Sequence, residues 1–321
     1  MKIAGLSVLM LLVTGMAYAQ EINFSRVQDM TVWYNQSLKT DKQNTVKLNY
    51  RNVSYQGLMA YNSVAAMIDI PLIKKVNREE PDKGYFSLSG AVASDKSNQG
   101  IFSNTVGLLG LSYALPLGDE ETYAAVGFQG SYYQSRLNTV NMDGAFPDQF
   151  DQYGPITGAQ SKDNIAGNWA YYYFNLNTGI SIFSNGENNK WYIGASVMHV
   201  NQPYTDQKKL SNSKLSPQWS FQGGYTYITP DKNEASFHAT LNWQAQAYKH
   251  FFNVNYIKSL PGIQGGVGCG LSYRYNDAVI PDIEIRYSNV TIAALYDINV
   301  SDIHASGYQR NGIELALKLD F

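Results

Sequence analysis

Ile313-Glu314-Leu315-Ala316-Leu317-Lys318-Leu319-Asp320-Phe321 is the stretch that decides the fold. Successive side chains of a β-strand point to opposite faces. Ile313, Leu315, Leu317, Leu319 and Phe321 therefore share one face, and Glu314, Ala316, Lys318 and Asp320 share the other. One side of this strand meets an apolar medium, and the other can tolerate charge.

The same two-residue period recurs upstream. Trp191, Ile193, Ala195 and Val197 alternate with Tyr192, Gly194 and Ser196, and Trp219, Phe221 and Tyr225 alternate with Ser220, Gln222 and Thr226. Phe237, Ala239, Leu241 and Trp243 alternate with Ser236, His238, Thr240 and Asn242, and Ile283, Ile285 and Tyr287 with Asp282, Glu284 and Arg286. Strands are expected near 46–53, 62–70, 84–94, 105–115, 121–136, 170–183, 190–200, 218–228, 234–245, 251–258, 265–275, 280–288, 290–299 and 309–321. Many run close to the length a membrane-crossing strand needs and exceed the usual strand of a soluble sandwich. The expected fold is all-β: a transmembrane antiparallel β-barrel of about 14 strands over 46–321, of outer-membrane type. Compact turn-formers (Leu117-Gly118-Asp119-Glu120, Asn185-Gly186-Glu187, Thr229-Pro230-Asp231-Lys232, Ser288-Asn289) all fall on one side of this count, and the long loops near 137–169 and 201–217 on the other. The exception is Ile73 to Lys83, long and charged on the compact side. A terminal Phe321 on the apolar face resembles the assembly signal of such barrels.

The first residues read as a secretory leader. Lys2 gives a positive start, Ile3 to Met16 a mostly apolar run, and Ala17-Tyr18-Ala19 a small-x-small cleavage site, with Gln20 the expected first mature residue. Residues 1–19 are thus expected to be removed. No cysteine sits at the cleavage point, which excludes a lipid-anchored lipoprotein. Beyond Gln20 no second long apolar run exists, so any membrane span must be built from strands. Residues 20–45 are polar and aperiodic, and are expected either to plug the lumen or to lie in the periplasm.

Composition agrees. The 25 tyrosines suit a molecule with long apolar–aqueous boundaries. A net charge of −2 argues against nucleic acid as a partner. Cys269, the lone cysteine, cannot form an internal disulfide. His199, His238, His250 and His304 lack metal-site spacing, and no motif joins a serine nucleophile to a histidine. No catalytic, cofactor-binding or metal residue is therefore assigned. Gly265-Gly266-Val267-Gly268-Cys269-Gly270 lacks the Lys-Ser/Thr ending of a phosphate loop and reads as strand glycines, with Cys269 a buried or lipid-facing small residue. Asp143, Asp148, Asp151 and Asp163 match no calcium loop and read as a solvated acidic loop. Asp282, Glu284, Arg286, Glu314 and Lys318 are expected to line the lumen, as an electrostatic filter or, better suited to interleaved signs, as a salt-bridged network. Tyr50, Arg51, Asn52 and Tyr55 combine stacking and hydrogen-bonding groups that position a partner or lock a loop.

In order along the chain, Tyr50-Arg51-Asn52, Ile70-Pro71-Leu72, Ser94-Asp95-Lys96, Leu111-Ser112-Tyr113-Ala114-Leu115-Pro116-Leu117, His199-Val200-Asn201-Gln202-Pro203, Leu271-Ser272-Tyr273-Arg274, Asn276-Asp277-Ala278-Val279 and Tyr296-Asp297-Ile298-Asn299-Val300-Ser301 resemble the PorP/SprF family, type IX secretion system membrane proteins of Bacteroidetes. The resemblance runs from about Phe24 to Phe321. It departs at Asp29 to Ser37, where members commonly carry an Asn-Pro-rich stretch and this chain has no proline. The resemblance implies a non-enzymatic outer-membrane protein contacting lipid and the secretion machinery, including peptidoglycan-associated periplasmic components. In gliding species it also implies display of a large secreted adhesin. On that reading Lys74, Lys75, Arg78, Glu79 and Glu80 are candidates for a periplasmic docking surface. A solute channel or transporter is the alternative, and an outer-membrane lipid enzyme the third class.

Overall fold

The two-residue period becomes a closed sheet in the computed structural model of the chain, which describes residues 24–39, 43–55, 60–73, 84–97, 101–118, 121–138, 147–151, 153–159, 162, 168–204, 214–301 and 310–321. The strands are β1 (Thr45–Tyr55), β2 (Ala60–Pro71), β3 (Tyr85–Ser97), β4 (Phe102–Pro116), β5 (Thr122–Asn138), β8 (Asn168–Asn185), β9 (Asn189–Met198), β10 (Gln218–Ile228), β11 (Glu234–Gln244), β12 (Ala247–Leu260), β13 (Gly265–Arg274), β14 (Ala278–Tyr287), β15 (Val290–Asn299) and β16 (Arg310–Asp320). Two short strands, β6 (Phe150–Asp151) and β7 (Gly154–Pro155), pair with each other in the loop between β5 and β8. The other fourteen form one barrel, each strand antiparallel to its neighbours, closed by β1 against β16 with Thr45 opposite Asp320 and Tyr55 opposite Arg310.

Closure leaves no sheet edge, which is what allows strands to cross lipid with every backbone group paired. Alternation then sorts the side chains. Ile193, Phe237, Ile283 and Leu315 stand exposed on the outer wall, while Tyr192, Glu284 and Glu314 beside them are buried inside. At the near end, where β1 begins and β16 ends, Ser288 and Asn289 alone join β14 to β15, with Ser288 in the left-handed region at φ 52°. The longest connections, 139–167 and 199–217, lie at the opposite, far end.

Barrels of about eight strands fill their interior with wall side chains, and wider ones need something else inside. Here residues 24–39 fill the lumen. They include one helical turn, α1 (Thr31–Tyr34). Phe24, Val27, Met30, Val32, Trp33 and Tyr34 form one apolar cluster with Ala65 and Met67 of β2, Ala91 and Ala93 of β3, and Val106 and Leu108 of β4. On this sector both faces of the wall are apolar: the outer meets lipid, the inner meets the segment. Nearer the end, Leu38 packs with Tyr85, Tyr123 and Phe183, the last two rings stacked at 5.5 Å.

The polar turn Asn35-Gln36-Ser37 rests on a patch of wall made of glycines. Gly110, Gly127, Gly179 and Gly194 sit on β4, β5, β8 and β9, and a Cβ on any of them would run into Asn35, Gln36 or Ser37. At Gly127 the collision is with backbone, 2.7 Å from both the Gln36 carbonyl carbon and the Ser37 nitrogen. Wall side chains around the patch satisfy the segment's carbonyls. Gln129 Nε2 donates to Val32 O at 3.0 Å, Ser196 Oγ to Tyr34 O at 2.6 Å and Ser181 Oγ to Ser37 O at 2.9 Å. Asn35 Nδ2 donates to Gln222 Oε1 at 2.9 Å.

Gly127→Ala is therefore expected to lower barrel stability by about 1–3 kcal/mol through overpacking against immobile backbone. Gly107→Ala, where nothing lies within 4 Å of the new methyl, is expected to cost nothing. Urea unfolding of the two variants in lipid vesicles checks the difference.

Candidate functional site: two buried charge networks in the lumen

Arg26 is the hub of the first network. Its Nη2 donates to Glu284 Oε2 of β14 at 2.8 Å and its Nε to Asp29 Oδ2 at 2.5 Å, while Nη1 lies 3.8 Å from Asp282 Oδ1. Glu314 of β16 accepts the backbone N–H of Ser25 at 2.8 Å. Arg286 extends the chain of charges outward, with Nε on Glu284 at 2.5 Å and Nη1 on Glu234 of β11 at 2.8 Å. Lys318 pairs with Asp320 at 3.3 Å at the end of β16. Asp282, Glu284, Arg286 and Glu314 are thus joined through the N-terminal segment, and Lys318 sits at the margin. A second tie, Lys39 Nζ to Asp69 Oδ1 at 2.5 Å, fixes the other end of the segment to β2.

Burial disfavours a charge on Arg26 and on Asp29, but the partners outweigh it. Asp29 and Glu284 hold the Arg26 guanidinium above its ordinary value, and Arg26, Lys47 and Lys318 hold the Asp29 carboxyl below its own. Both ions are therefore charged at neutral pH. Between them and the wall lies a polar cavity of about 310 Å³, bordered by Lys47, His238 and Lys318. There His238 Nδ1 lies 3.1 Å from the Tyr192 hydroxyl.

The second network lies toward the far end. Asp297 of β15 receives three arginines: Arg274 of β13 at 2.5 Å, Arg51 of β1 at 2.9 Å and Arg310 of β16 at 3.1 Å. Asp277, in the turn after β13, pairs with Arg310 at 2.5 Å and with Arg274 Nε. Burial raises the Asp277 carboxyl, but the two arginines more than offset it and leave it below its ordinary value. The cluster crosses the seam where β1 meets β16. The charged residues of three sequence motifs, Arg51, Arg274 and Asp277, and Asp297 of a fourth, converge on this point.

Other candidates take structural positions. Tyr50 and Asn52, flanking Arg51, point outward and donate to Asn62 Oδ1 of β2 at 3.2 and 2.6 Å. Asp151 Oδ1 accepts the N–H of Tyr153 at 2.7 Å and Asp148 Oδ2 that of Lys162 at 2.7 Å, so both carboxylates shape their loop. Asp143 and Asp163 lie outside the described residues. His199 is buried at φ 58°, its N–H donating to Asn177 Oδ1 at 3.0 Å, and His250 packs on Trp243. Cys269 is exposed on the outer face of β13. Phe321 stands on the outer face, its N–H donating to Asn44 O at 2.9 Å. Ala17, Ala19 and Gln20, and Lys74, Lys75, Arg78, Glu79 and Glu80, lie outside the described residues.

Arg26 was invisible to periodicity, because residues 20–45 have none. One signal pointed to it. Among the five charges expected in the lumen, three are acidic and two basic, which leaves one carboxylate over.

A family model described as "Type IX secretion system membrane protein PorP/SprF" matches residues 21–319. Among solved structures, the toluene transporter TbuX of Ralstonia pickettii superposes with a TM-score of 0.51 at 8% identity, covering 88% of this chain and 90% of that one. A mutant of TodX, a monoaromatic hydrocarbon channel, gives 0.51 at 7% identity over 87% and 90%. At such identities the likeness is one of fold. Among curated protein sequences none matches.

Replacing Asp297 by asparagine leaves the buried guanidinium groups of Arg274 and Arg310, and the partly buried one of Arg51, without their shared carboxylate. The expected cost is about 3–5 kcal/mol, the range for breaking a buried ion pair from one side. Thermal unfolding of Asp297→Asn beside the wild type, in the same vesicles, measures it.

Proposed function

The chain belongs to the PorP/SprF family of type IX secretion system membrane proteins, and from that premise we propose that it is a closed, non-enzymatic scaffold of the type IX machinery in the outer membrane. Its fold and family both fit that membrane. In this reading the leader is removed after Ala19, the near end faces the periplasm, and the barrel docks peptidoglycan-associated components there. The long far-end loops face outward and support secretion or display of a large adhesin, in gliding hosts a motility adhesin.

One observation carries the scaffold reading: the lumen is occupied by the chain's own residues 24–39, tied to the wall by buried hydrogen bonds, ion pairs and an apolar cluster. A solute channel needs a continuous wet path, and a stopper that shares the barrel's core does not provide one at rest. Docking then falls to the connections between strands. The segment 74–83 is the proposed periplasmic surface, since Lys74, Lys75, Arg78, Glu79 and Glu80 give it both signs of charge on the otherwise compact end.

Crosslinking the tagged barrel in native membranes, isolating it and identifying its companions by mass spectrometry tests this. Type IX ring or adhesin components are expected. Combined neutralisation of Lys74, Lys75 and Arg78 is expected to reduce their recovery with barrel assembly unchanged. Recovery of the barrel alone contradicts the scaffold role, and unchanged recovery from the triple variant contradicts the assignment of that segment.

A further inference from the structure

The contact between Arg26 and the wall is strong on one side and loose on the other. Glu284 takes Nη2 at 2.8 Å, but Asp282 stands 3.8 Å from Nη1, too far for a hydrogen bond. Both Asp282 carboxylate oxygens and Arg26 Nη1 are buried without a hydrogen-bond partner. Asp282 has room to lean inward because Gly270 lies opposite on β13, where a Cβ would strike its carboxylate. Glu314 meets the segment through two backbone N–H groups and lies only at 3.9 Å from Arg51 Nε. Two wall carboxylates, Asp282 and Glu284, thus face one guanidinium that satisfies them incompletely, while Glu314 holds the backbone beside it.

We infer that Asp282 and Glu284 form a guanidinium-binding site in the lumen wall, and that Arg26 of the N-terminal segment occupies it as the latch that keeps the lumen closed. Apart from the Lys39 pair with Asp69 of β2, the rest of the segment is held by contacts of another kind. Residues 27–34 pack on apolar wall, and residues 35–37 sit on glycines with neutral hydrogen bonds. Only the Arg26 end is held by charge across the lumen to β14. Removing the arginine leaves Asp282 without a cation and Glu284 with Arg286 alone in a low-dielectric space, where the bared carboxylates draw cations or push the segment away. A fourteen-stranded barrel freed there is wide enough to pass water and ions. The site's ligand class follows from its occupant: a planar guanidinium, supplied in cis by Arg26 or in trans by an arginine-bearing segment or the free ion. This goes beyond the scaffold role, which holds whether or not the latch opens.

The test uses the full-length barrel in planar bilayers. Wild type is expected to pass little current. Arg26→Ala is expected to pass roughly tenfold more or greater, with cations preferred over anions. Millimolar guanidinium chloride, but not equimolar potassium chloride, is expected to suppress that current, and Glu284→Gln added to Arg26→Ala is expected to abolish the suppression. An Arg26→Ala current equal to wild type, an anion preference, or indifference to guanidinium overturns the inference. Should Arg26→Ala not insert, Glu284→Gln alone, which keeps the arginine, decides. A raised current supports the latch, and a wild-type current overturns it.

Discussion

Inside a bilayer every backbone N–H and C=O must be paired within the protein, and a chain whose described residues hold no long apolar helix meets that demand with them as a closed barrel. Fourteen strands meet it here, but the barrel they close is wider than its own side chains can fill. The remaining structure follows from that excess space. Residues 24–39 enter the lumen, and the wall is shaped to receive them, apolar on β2 to β4, glycine-lined from β4 to β9, and charged on β14 and β16. Segment and wall are therefore one core, although the outer surface is built for lipid.

Buried charge is costly unless paired and hydrogen-bonded. Besides the Lys39–Asp69 pair, the lumen gathers charges into two sets that serve different joints. At the far end Asp297 and Asp277 draw together arginines from β1, β13 and β16 and so tie the seam where the barrel closes. Lower down, Arg26 ties the N-terminal segment to β14. Both oxygens of Asp297 are met by arginines, whereas both oxygens of Asp282 are buried without a hydrogen bond.

Much of the barrel was legible because its period is two and its outer face is mostly apolar where it meets lipid. Ile283, Ile285 and Tyr287, or Leu315 and Phe321, reveal their face from spacing alone, and the strand number follows from the turns between them. The filling of the lumen was less legible. Residues 20–45 have no period, so neither α1 nor the placement of Trp33 could be read from them. The indirect traces lay in the wall. Ala65, Met67, Ala91 and Ala93 are apolar on the face that should meet water, and Gly110, Gly127, Gly179 and Gly194 lie scattered in sequence yet adjoin across β4, β5, β8 and β9. Such traces become visible only once strand register brings them together. The far-end cluster was half legible. Arg51, Arg274, Asp277 and Asp297 stood in recognisable motifs, but their meeting at one point depends on barrel closure, which no local pattern encodes.

Hydrogen exchange of the intact barrel in lipid, followed by mass spectrometry of the peptides covering residues 24–39, tests the central claim most directly. A segment that is part of the barrel's core exchanges as slowly as β5 and β8, the strands it rests on. Exchange of 24–39 at the rate of a free peptide, with the strands protected, would contradict it and leave the lumen open.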